Sequence, residues 1–473
     1  MKPETKGGPF RGIIDACADC DTCRYLMTGS CLFFPELYRL YDREKEDGRP
    51  ADKEEIGRLS GLCTLCGLCP CPNIRADLIR SKAESVRRDG MALRNRLLAD
   101  IQRVGCWGSL APEAFNGALS FAPVNRLAKK IVGIHPHRFL PRVARENFFA
   151  WARKRGLDRE PRGRPGVAYF AGCTAGYFFP EVARSAVSLL ERSGVSVYVP
   201  PQQCCGMPTL LEGDAKTTLQ RAKFNLESLM TAVRSGYRPV SSCPTCSYLM
   251  RIMLKENACF SSAYQQSVSA GRDEIVVPDP GATDGVVRLK KSIYRSILKD
   301  DGYFSSFDPL ERIALSDTMM DLGEYLEGLF GKVHPGSRMD RLNVRMVYFA
   351  PCHQREQGIG SPYVKLLAMI PGLTIQPVGG AMDCCGMGGS LGLKTEFHDA
   401  SLTLGAPLFN KIKAADPELI VTDCLSCRLQ FQQVLPYPVR HPLEILAGAD
   451  ENQPMYSIPR HHSPGPTTIS RGE

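Results

Sequence analysis

The sequence predicts an α/β protein that has a cysteine-rich helical domain at its N-terminus and two tandem domains built on parallel sheets. Three observations predict this class. Five cysteines between residues 173 and 246 recur 179 to 181 residues later, which indicates a duplicated unit. Each cysteine group follows a short segment rich in β-branched residues, and amphipathic helical stretches separate these segments. Because strands that alternate with helices form parallel sheets, we expect two similar sheets related by a pseudo-two-fold axis.

The composition favours a protein with reduced, metal-binding thiols. The chain has 473 residues, of which 43% are hydrophobic, and this length is sufficient for about three domains. It contains 20 cysteines, but its first residues show no apolar segment of the kind that directs secretion. Disulfide scaffolds are usually secreted and much shorter, so the thiols are expected to be free and cytoplasmic. No apolar run reaches the ~20 residues that a membrane span requires.

The two repeats carry their cysteines at equivalent positions. Segments rich in β-branched residues, such as Val167–Phe170 and Val344–Phe349, precede the first cysteine of each repeat. Parallel strands end at one edge of a sheet, where ligands bind, so the five thiols of each repeat are expected to converge. An iron–sulfur cluster is the favoured occupant, and zinc, which needs only four ligands, is the alternative in either repeat. The candidate ligands are Cys173, Cys204, Cys205, Cys243 and Cys246 in the first repeat, and Cys352, Cys384, Cys385, Cys424 and Cys427 in the second.

Two further cysteine runs occur before residue 98. Each has the spacing Cys-x-x-Cys-x-x-Cys and a fourth cysteine, which is typical of a pair of cubane [4Fe-4S] clusters. In two-cluster ferredoxins the fourth cysteine of one run binds the cluster of the other run. By that logic Cys17, Cys20, Cys23 and Cys71 bind one cluster, and Cys63, Cys66, Cys69 and Cys31 bind the other. The spacings to the two fourth cysteines differ from the usual bacterial run, and a pair of zinc knuckles is the alternative.

Two cysteines and two histidines lie outside these sets. Cys106 and Cys259 have no partner at ligand spacing, so they are expected to be buried thiols. His353 and His441 are expected either near the second cluster of the repeats, where they would tune or protonate it, or as hydrogen-bonded structural residues. The sequence has no flavin or nicotinamide motif, which indicates that the chain does not itself oxidise an organic substrate.

A basic segment with interleaved aromatic residues joins the N-terminal cysteines to the first repeat. One interpretation is a solvated, partly helical connector, and the other is an amphipathic surface for an anionic membrane or an acidic partner. Nucleic acid is not an expected partner, because the charge forms no dense stripe and no nucleic-acid motif accompanies it. The basic residues are Arg126, Lys129, Lys130, Arg138, Arg142, Arg145, Arg153, Lys154 and Arg155.

These features divide the chain into six predicted segments. The breaker-rich sequence at 160–166 separates the connector from the first repeat, and prolines among polar residues predict a disordered tail. The segments are a ferredoxin-like domain with two [4Fe-4S] sites at 1–98, the connector at 99–165, the first repeat at 166–256, a mostly helical insert at 257–342, the second repeat at 343–449 and the tail at 450–473.

The motifs around the cysteines resemble those of CCG-domain iron–sulfur proteins that are fused to a two-cluster ferredoxin domain. The resemblance covers roughly residues 15 to 447. It is strongest to the branch that serves anaerobic glycerol-3-phosphate dehydrogenases, and other branches serve glycolate and lactate oxidation and heterodisulfide reduction. The motifs that carry it are Ala171-Gly-Cys173, Cys204-Cys-Gly-Met-Pro208, Pro351-Cys-His353, Cys384-Cys-Gly-Met-Gly-Gly389, Gly405-Ala-Pro-Leu408, Thr422-Asp-Cys424 and His441-Pro442.

The resemblance implies an electron-transfer subunit that lies peripherally on the inner face of the cytoplasmic membrane. It would pass electrons from a flavoprotein dehydrogenase subunit through two [4Fe-4S] clusters, and through one or two clusters in the repeats, toward the quinone pool. The clusters of the repeats are noncubane in some members of the family, and zinc replaces one of them in others. The alternative function is a heterodisulfide reductase-like catalytic subunit that reduces a disulfide or a quinone at one of these clusters. A third hypothesis is a zinc-stabilised scaffold without a redox role.

Overall fold

The computed structural model describes residues 10–160, 166–269, 271–279, 281–331 and 340–448. The predicted tail at 450–473 and most of the predicted linker at 160–166 lie outside these residues. Within the described ranges, no helix has both the length and the hydropathy that a bilayer crossing demands.

The described residues before position 160 form helices, apart from a single β-bridge between Ile134 and Lys394. Apolar side chains such as Leu37 and Leu78 share one buried cluster with Leu226 and Met250 of the first repeat. The N-terminal helices are therefore packed against that repeat and do not form a separate core. The helices are α1 (Arg11–Cys20), α2 (Thr22–Leu26), α3 (Phe33–Asp47), α4 (Lys53–Leu62), α5 (Pro72–Asp89), α6 (Leu93–Ala99), α7 (Ile101–Gly108), α8 (Pro112–Ser120), α9 (Ala122–Val132) and α10 (Phe148–Lys154).

The first repeat and the insert together form a parallel sheet covered by helices. The elements are β1 (Val167–Phe170), α11 (Gly172–Tyr177), α12 (Pro180–Arg192), β2 (Val197–Tyr198), α13 (Met207–Leu211), α14 (Ala215–Arg234), β3 (Arg238–Ser241), α15 (Pro244–Tyr248), a π-helical turn (Leu249–Met253), α16 (Ser262–Ser269), β4 (Glu274–Pro278), β5 (Val286–Lys290), α17 (Lys291–Tyr294), α18 (Pro309–Thr318), β6 (Met320–Asp321) and α19 (Leu322–Phe330). The sheet has the order β2-β1-β3-β6, and every neighbouring pair is parallel.

The insert at 257–342 contains strands that the sequence does not predict. Its pattern predicts one helix across Met319–Phe330, but that helix begins only at Leu322, because the two preceding residues pair with β3 as the edge strand β6. The side chain of Asp321 accepts a hydrogen bond from the backbone N–H of Gly323 and so fixes the start of α19. The strands β4 and β5 form an antiparallel hairpin.

The second repeat forms a second parallel sheet with the same strand order as the first. The elements are β7 (Arg345–Tyr348), α20 (Cys352–Arg355), α21 (Pro362–Leu367), β8 (Thr374–Pro377), α22 (His398–Ala415), β9 (Leu419–Val421), α23 (Leu425–Val434), β10 (Val439–Arg440) and α24 (Pro442–Gly448). Its order is β8-β7-β9-β10, and its strand pairs are all parallel. The prediction of two α/β repeats with parallel sheets is confirmed, and the pseudo-two-fold axis remains a prediction.

The two sheets share a hydrophobic core. Along β1, Val167 and Tyr169 point into one buried cluster, and Met346 and Tyr348 of β7 belong to the same cluster. Alternate residues of a strand face opposite sides, so Ala168 and Phe170 of β1 and Val347 of β7 belong to other buried clusters. The repeats are thus joined through one face of each sheet.

A buried ion pair connects the two repeats near the N-terminal helices. Lys394 Nζ donates to Glu212 at 2.8 Å, and both side chains are almost fully buried. Lys82 lies next to this pair, and its Nζ donates to the carbonyls of Ser60, Cys63 and Leu211 at 2.7 to 3.0 Å. The three parts of the chain therefore meet at a site where buried cations are fully hydrogen-bonded.

We expect Glu212→Gln to lower the free energy of unfolding by about 3–5 kcal/mol, because Lys394 is then left buried and unpaired. Urea unfolding followed by circular dichroism measures this change. The control is Glu84→Gln, whose partner Arg87 is 82% exposed, and its effect should be below about 1 kcal/mol. Equal shifts of the unfolding midpoint in the two variants would contradict the role of the junction.

Candidate functional site

The first cysteine group lies at the carboxyl edge of the first sheet. Cys173 follows β1, the pair Cys204 and Cys205 follows β2, and Cys243 follows β3. These strands are neighbours and run parallel, so their ends bring the cysteines to one place. Gly206 has a φ of 102°, which lets the chain turn after the pair and begin α13 at the next residue.

The five thiols of the first group lie against one another in a continuous series. Cys173 Sγ donates to Cys204 Sγ over 3.4 Å. Cys204 also interacts with Cys205, Cys205 with Cys246, and Cys246 with Cys243, and each of these contacts shifts the pKa values of the thiols. The bond between Cys173 and Cys204 raises the pKa of Cys173 and lowers that of Cys204. The five cysteines that the sequence predicts as ligands therefore meet at one site.

The second cysteine group has the same construction at the edge of the second sheet. Cys427 Sγ donates to Cys385 Sγ over 3.2 Å. Cys385 also interacts with Cys384, and Cys427 interacts with Cys424, and these contacts raise the pKa of Cys384 and of Cys427. Cys352 interacts electrostatically with Cys424 and Cys385, and burial raises its pKa well above the usual value. A set of buried thiols this close together cannot ionise fully unless positive charge compensates them.

The turn after the second cysteine pair packs tightly against α22. The backbone N–H of Gly386 donates to Cys384 Sγ over 3.3 Å. A Cβ atom on Gly386 would lie 2.0 Å from the carbonyl oxygen of Ser401, so only glycine fits at this position. No α-helix follows this turn directly, in contrast to the first repeat, because α22 begins only at His398.

The first N-terminal group consists of Cys17, Cys20, Cys23 and Cys71. Burial, together with the three other cysteines, raises the pKa of Cys17 to about 12. Helix α1 ends at Cys20, and Asp21, with a φ of 55°, turns the chain into α2, which carries Cys23. Cys20 and Cys71 are exposed at the surface. The structure thus brings together the four cysteines that the sequence assigns to one cluster.

The second N-terminal group lines a cavity. Cys31, Cys63, Cys66 and Cys69 are among the residues that line a small cavity of about 20 Å³. Burial raises the pKa of Cys31 to about 12, and the backbone N–H of Phe33 donates to its Sγ over 3.3 Å. The four thiols and the N–H group directed at sulfur suit an iron–sulfur cluster.

Three of the four groups are electrostatic neighbours. Cys69 of the second N-terminal group interacts with Cys23 of the first group. Cys66 of the same group interacts with Cys352 of the second repeat. The second N-terminal group therefore lies between the first N-terminal group and the second repeat.

His353 contacts the second N-terminal run and the first repeat. Its Nε2 donates to the carbonyl of Leu65 over 3.0 Å, so its Nδ1 accepts from Oγ1 of Thr245, also over 3.0 Å. Its ring stacks on Tyr248 with 4.6 Å between the ring centroids, and burial lowers its pKa. His353 follows Cys352 directly, and its role in tuning or protonating a cluster of the second repeat remains a prediction.

His441 lies between the repeats. Its Nδ1 accepts from the backbone N–H of Leu443 over 3.1 Å, and its Nε2 faces the carbonyl of Ser242 over 3.3 Å. Burial lowers its pKa to about 3, so the ring is neutral at physiological pH. Both ring nitrogens therefore contact backbone groups, and its contact across the interface is to the residue before Cys243 of the first group.

The prediction that Cys106 is a buried thiol is wrong, because the structure exposes it. The face of α7 that packs inward carries Gly105 and Gly108, where an added Cβ would lie 2.6 Å from Tyr177 and 2.7 Å from Val143. Cys106 falls on the other side of the helix. Cys259 is half-buried and has no thiol neighbour among the described residues.

The connector contributes to both repeat sites, a role that its sequence does not reveal. The Oε1 atom of Gln102 accepts from the backbone N–H of Cys204 over 2.7 Å, and Asp100 forms a buried ion pair with Arg221. Arg221 in turn lowers the pKa of Cys204. On the other side, Arg138 reaches the helices of the second repeat and is buried, although arginine is usually exposed.

Sulfur-only donor sets are the ligands of iron–sulfur clusters and of many structural zinc sites. Each repeat offers five thiols, which exceeds the four ligands that zinc takes. In the part of the chain that the structure describes, no three histidine, cysteine or carboxylate side chains are spaced to hold a single metal ion.

Comparison with known proteins identifies a domain family that matches two segments of the chain. A family model described as a cysteine-rich domain, CCG, matches the chain twice, at residues 167–251 and 346–432. These matches coincide with the two sheets and their cysteine groups. The chain therefore contains two CCG cysteine-rich domains, and the resemblance inferred from the motifs is confirmed.

Similarity to particular proteins extends beyond the CCG domains. The chain is 25% identical over 372 residues to a subunit of the anaerobic glycerol-3-phosphate dehydrogenase of Escherichia coli strain K12, an alignment that covers 78% of this chain and 80% of the relative. It is also 25% identical over 263 residues to lactate utilization protein A 2 of Bacillus cereus strain Q1, covering 55% of this chain and 87% of that protein.

We expect Cys385→Ser to remove or alter the centre of the second CCG domain and to leave the N-terminal clusters intact, because Cys385 accepts from Cys427 and interacts with Cys384 of its own group. Iron and sulfide analysis and EPR spectroscopy of anaerobically prepared protein measure this change. Cys259→Ser is the control, since its thiol belongs to none of the four groups, and it should retain every signal. An unchanged spectrum in Cys385→Ser would contradict the ligand assignment.

Proposed function

We propose that this chain is the iron–sulfur electron-transfer subunit of an oxidoreductase complex and passes electrons from a flavoprotein dehydrogenase subunit toward the quinone pool. The observation that carries the proposal is the assembly of 18 cysteines into four groups, three of which are electrostatic neighbours. The similar proteins are named for anaerobic glycerol-3-phosphate dehydrogenase and for lactate utilization, and we infer a dehydrogenase partner from these names.

The proposed cofactors follow from the donor sets. The two N-terminal groups would each hold one [4Fe-4S] cluster, and the CCG domains would hold one or two further clusters, with zinc as the alternative in one of them. Such clusters accept and release single electrons. The protein supplies thiolate ligands, N–H groups such as those of Phe33 and Gly386 that donate to sulfur, and buried cations nearby.

The contacts between groups support a relay. The second N-terminal group neighbours the first group through Cys69 and Cys23, and neighbours the second CCG domain through Cys66 and Cys352. His353 adds hydrogen bonds from this junction to the first CCG domain. Electrons that enter at the N-terminal groups would therefore have a route to both CCG domains.

One face of the connector supports attachment to the cytoplasmic surface of the membrane. We define the connector face by Phe121, Val124, Leu127 and Ile131, which recur at helical spacing from the start of α9 and are all exposed. Trp107, Leu110 and Phe139 are also exposed on the connector. The exposed basic residues Arg126, Lys130, Arg142 and Arg145 accompany them. Exposed apolar side chains with neighbouring basic residues are typical of amphipathic helices that bind anionic lipid.

The first test is anaerobic purification of the full chain with its co-purifying subunits. We expect at least about eight iron atoms and as many sulfides per chain, from two [4Fe-4S] clusters, and a flavoprotein among the partners. The reconstituted chain alone should accept electrons from a chemical reductant but should turn over neither a disulfide nor a quinone analogue.

Two results would contradict this proposal. Iron and sulfide near zero, with bound zinc, would favour the zinc-stabilised scaffold. Turnover of a disulfide or a quinone analogue by the chain alone would favour the heterodisulfide reductase-like alternative.

We expect the chain to co-sediment with vesicles that contain anionic lipid and to be released by salt, because basic residues accompany the connector face. Leu127→Asp combined with Ile131→Asp should weaken binding at least tenfold, since each buried side chain contributes about 1.5–3 kcal/mol. Ile293→Asp is the matched control, because Ile293 is 68% exposed, similar to the 72% of Ile131, and lies outside the connector. Equal loss of binding in both variants would contradict the assignment of this face.

A further inference from the structure

Arg138 is a buried cation without a carboxylate partner. Its side chain is 1% exposed, and it donates to Oε1 of Gln430 over 2.5 Å and to Oγ of Ser401 over 2.9 Å. Neither acceptor carries a charge, and among the described residues no carboxylate lies within ion-pair distance of the guanidinium. Burial lowers its pKa to about 10, so it is still protonated at physiological pH.

Three other buried cations of this protein have carboxylate partners, whereas the buried amines of Lys82 and Lys129 donate to backbone carbonyls. Arg312 pairs with Asp300 at 2.6 Å, Arg428 pairs with Glu444 at 2.8 Å, and Lys394 pairs with Glu212 at 2.8 Å. A buried charge without a counter-ion is much more costly than a paired one. Arg138 has two neutral acceptors and a buried Nε that lacks a hydrogen-bond partner among the described residues, so its location favours an anion that is not a side-chain carboxylate.

The guanidinium of Arg138 lies beside the second cysteine group. Ser401, which accepts from Arg138, donates to the carbonyl oxygen of Gly386 over 2.7 Å, and Gly386 follows Cys385 directly. An ionised Cys385 interacts favourably with Arg138. The anion nearest to this cation is thus sulfur of the second CCG domain.

The first CCG domain differs in its charge. Its buried arginine, Arg221, interacts with Cys204 and Cys173, but it forms an ion pair with Asp100 of the connector. The carboxylate of Asp100 neutralises the guanidinium of Arg221, so this pair places no net charge beside the first cysteine group. Arg138 has no such partner among the described residues and places one positive charge beside the second cysteine group.

We propose that Arg138 is the counter-ion of the iron–sulfur centre in the second CCG domain and makes that centre easier to reduce than a centre in the first CCG domain. This inference rests on the proposed function. Reduction adds one electron, supplied by the preceding centre of the relay, and no proton, so the centre becomes more negative by one charge. A fixed positive charge in a medium of low dielectric constant stabilises that reduced form. Electrons would therefore collect at the second CCG domain.

The test is an EPR-monitored redox titration of the reconstituted full chain. Arg138→Gln removes the charge, and Gln430→Glu keeps the arginine but gives it a carboxylate partner, as in the first domain. Both variants should lower the midpoint potential of the second centre, whereas Arg138→Lys should restore most of the wild-type value. Asp100→Asn, which can still cap α7, should raise the midpoint potential of a centre in the first domain. Arg312→Gln is the control for loss of a buried arginine and should leave the potential of the second centre unchanged.

The outcomes separate this inference from the proposed function. Wild-type protein that holds iron in the N-terminal groups but none in the second CCG domain overturns only this inference, and wild-type protein without iron in any of the four groups overturns both. Wild-type protein that holds the centre, with the same potential in Gln430→Glu and Arg138→Gln, overturns only the role of Arg138. If Arg138→Gln loses the centre, the variants Gln430→Glu and Asp100→Asn still test the inference. It is overturned if Gln430→Glu leaves the midpoint potential of the second centre unchanged and Asp100→Asn leaves that of a centre in the first domain unchanged.

Discussion

Thiols that crowd into a dry pocket repel one another as they ionise, and this electrostatic constraint governs much of the structure. Burial and neighbouring thiols raise the pKa of cysteines such as Cys17 and Cys352. The surrounding chain offers positive charge and N–H groups where sulfur would become negative, as Arg221 does at the first CCG domain and Gly386 does at the second. A core of iron ions would complete this compensation, and so would explain why the thiols are held close together and free of disulfides.

The topology of the parallel sheets is sufficient to bring the thiols together. A parallel sheet ends its strands along one edge, so cysteines that are 70 residues apart, such as Cys173 and Cys243, become neighbours without a dedicated binding loop. The same strand order in both sheets repeats this solution. The connector then supplies what the sheets lack, because Gln102 and Asp100 complete the polar surroundings of one group and Arg138 reaches the other.

Residue spacing predicts the strands and cysteine groups whose short sequence patterns are compatible with only one local structure. The segment Val167–Phe170 is predicted as a strand and is β1. Cys31 lies near Cys63 and Cys66, and Cys71 lies near Cys17, while their assignment as cluster ligands remains a prediction. Residue spacing does not predict contacts between segments that are far apart in the sequence. Strand β6 has only two residues inside a helical pattern, so its pairing depends on β3. The sequence around Arg138 predicts a solvated basic residue, and its burial arises only because the second CCG domain covers it.

The packing of the connector also limits how far the two CCG domains are independent modules. They are copies in sequence, yet each takes side chains from a segment that precedes both, and His353 ties the second copy to the first and to the N-terminal run. Cutting the chain between the copies would separate the downstream half from its guanidinium and break the histidine bridge. The smallest unit that keeps every contact is the whole polypeptide, so a gene encoding one copy alone would have to evolve replacements for the missing partners.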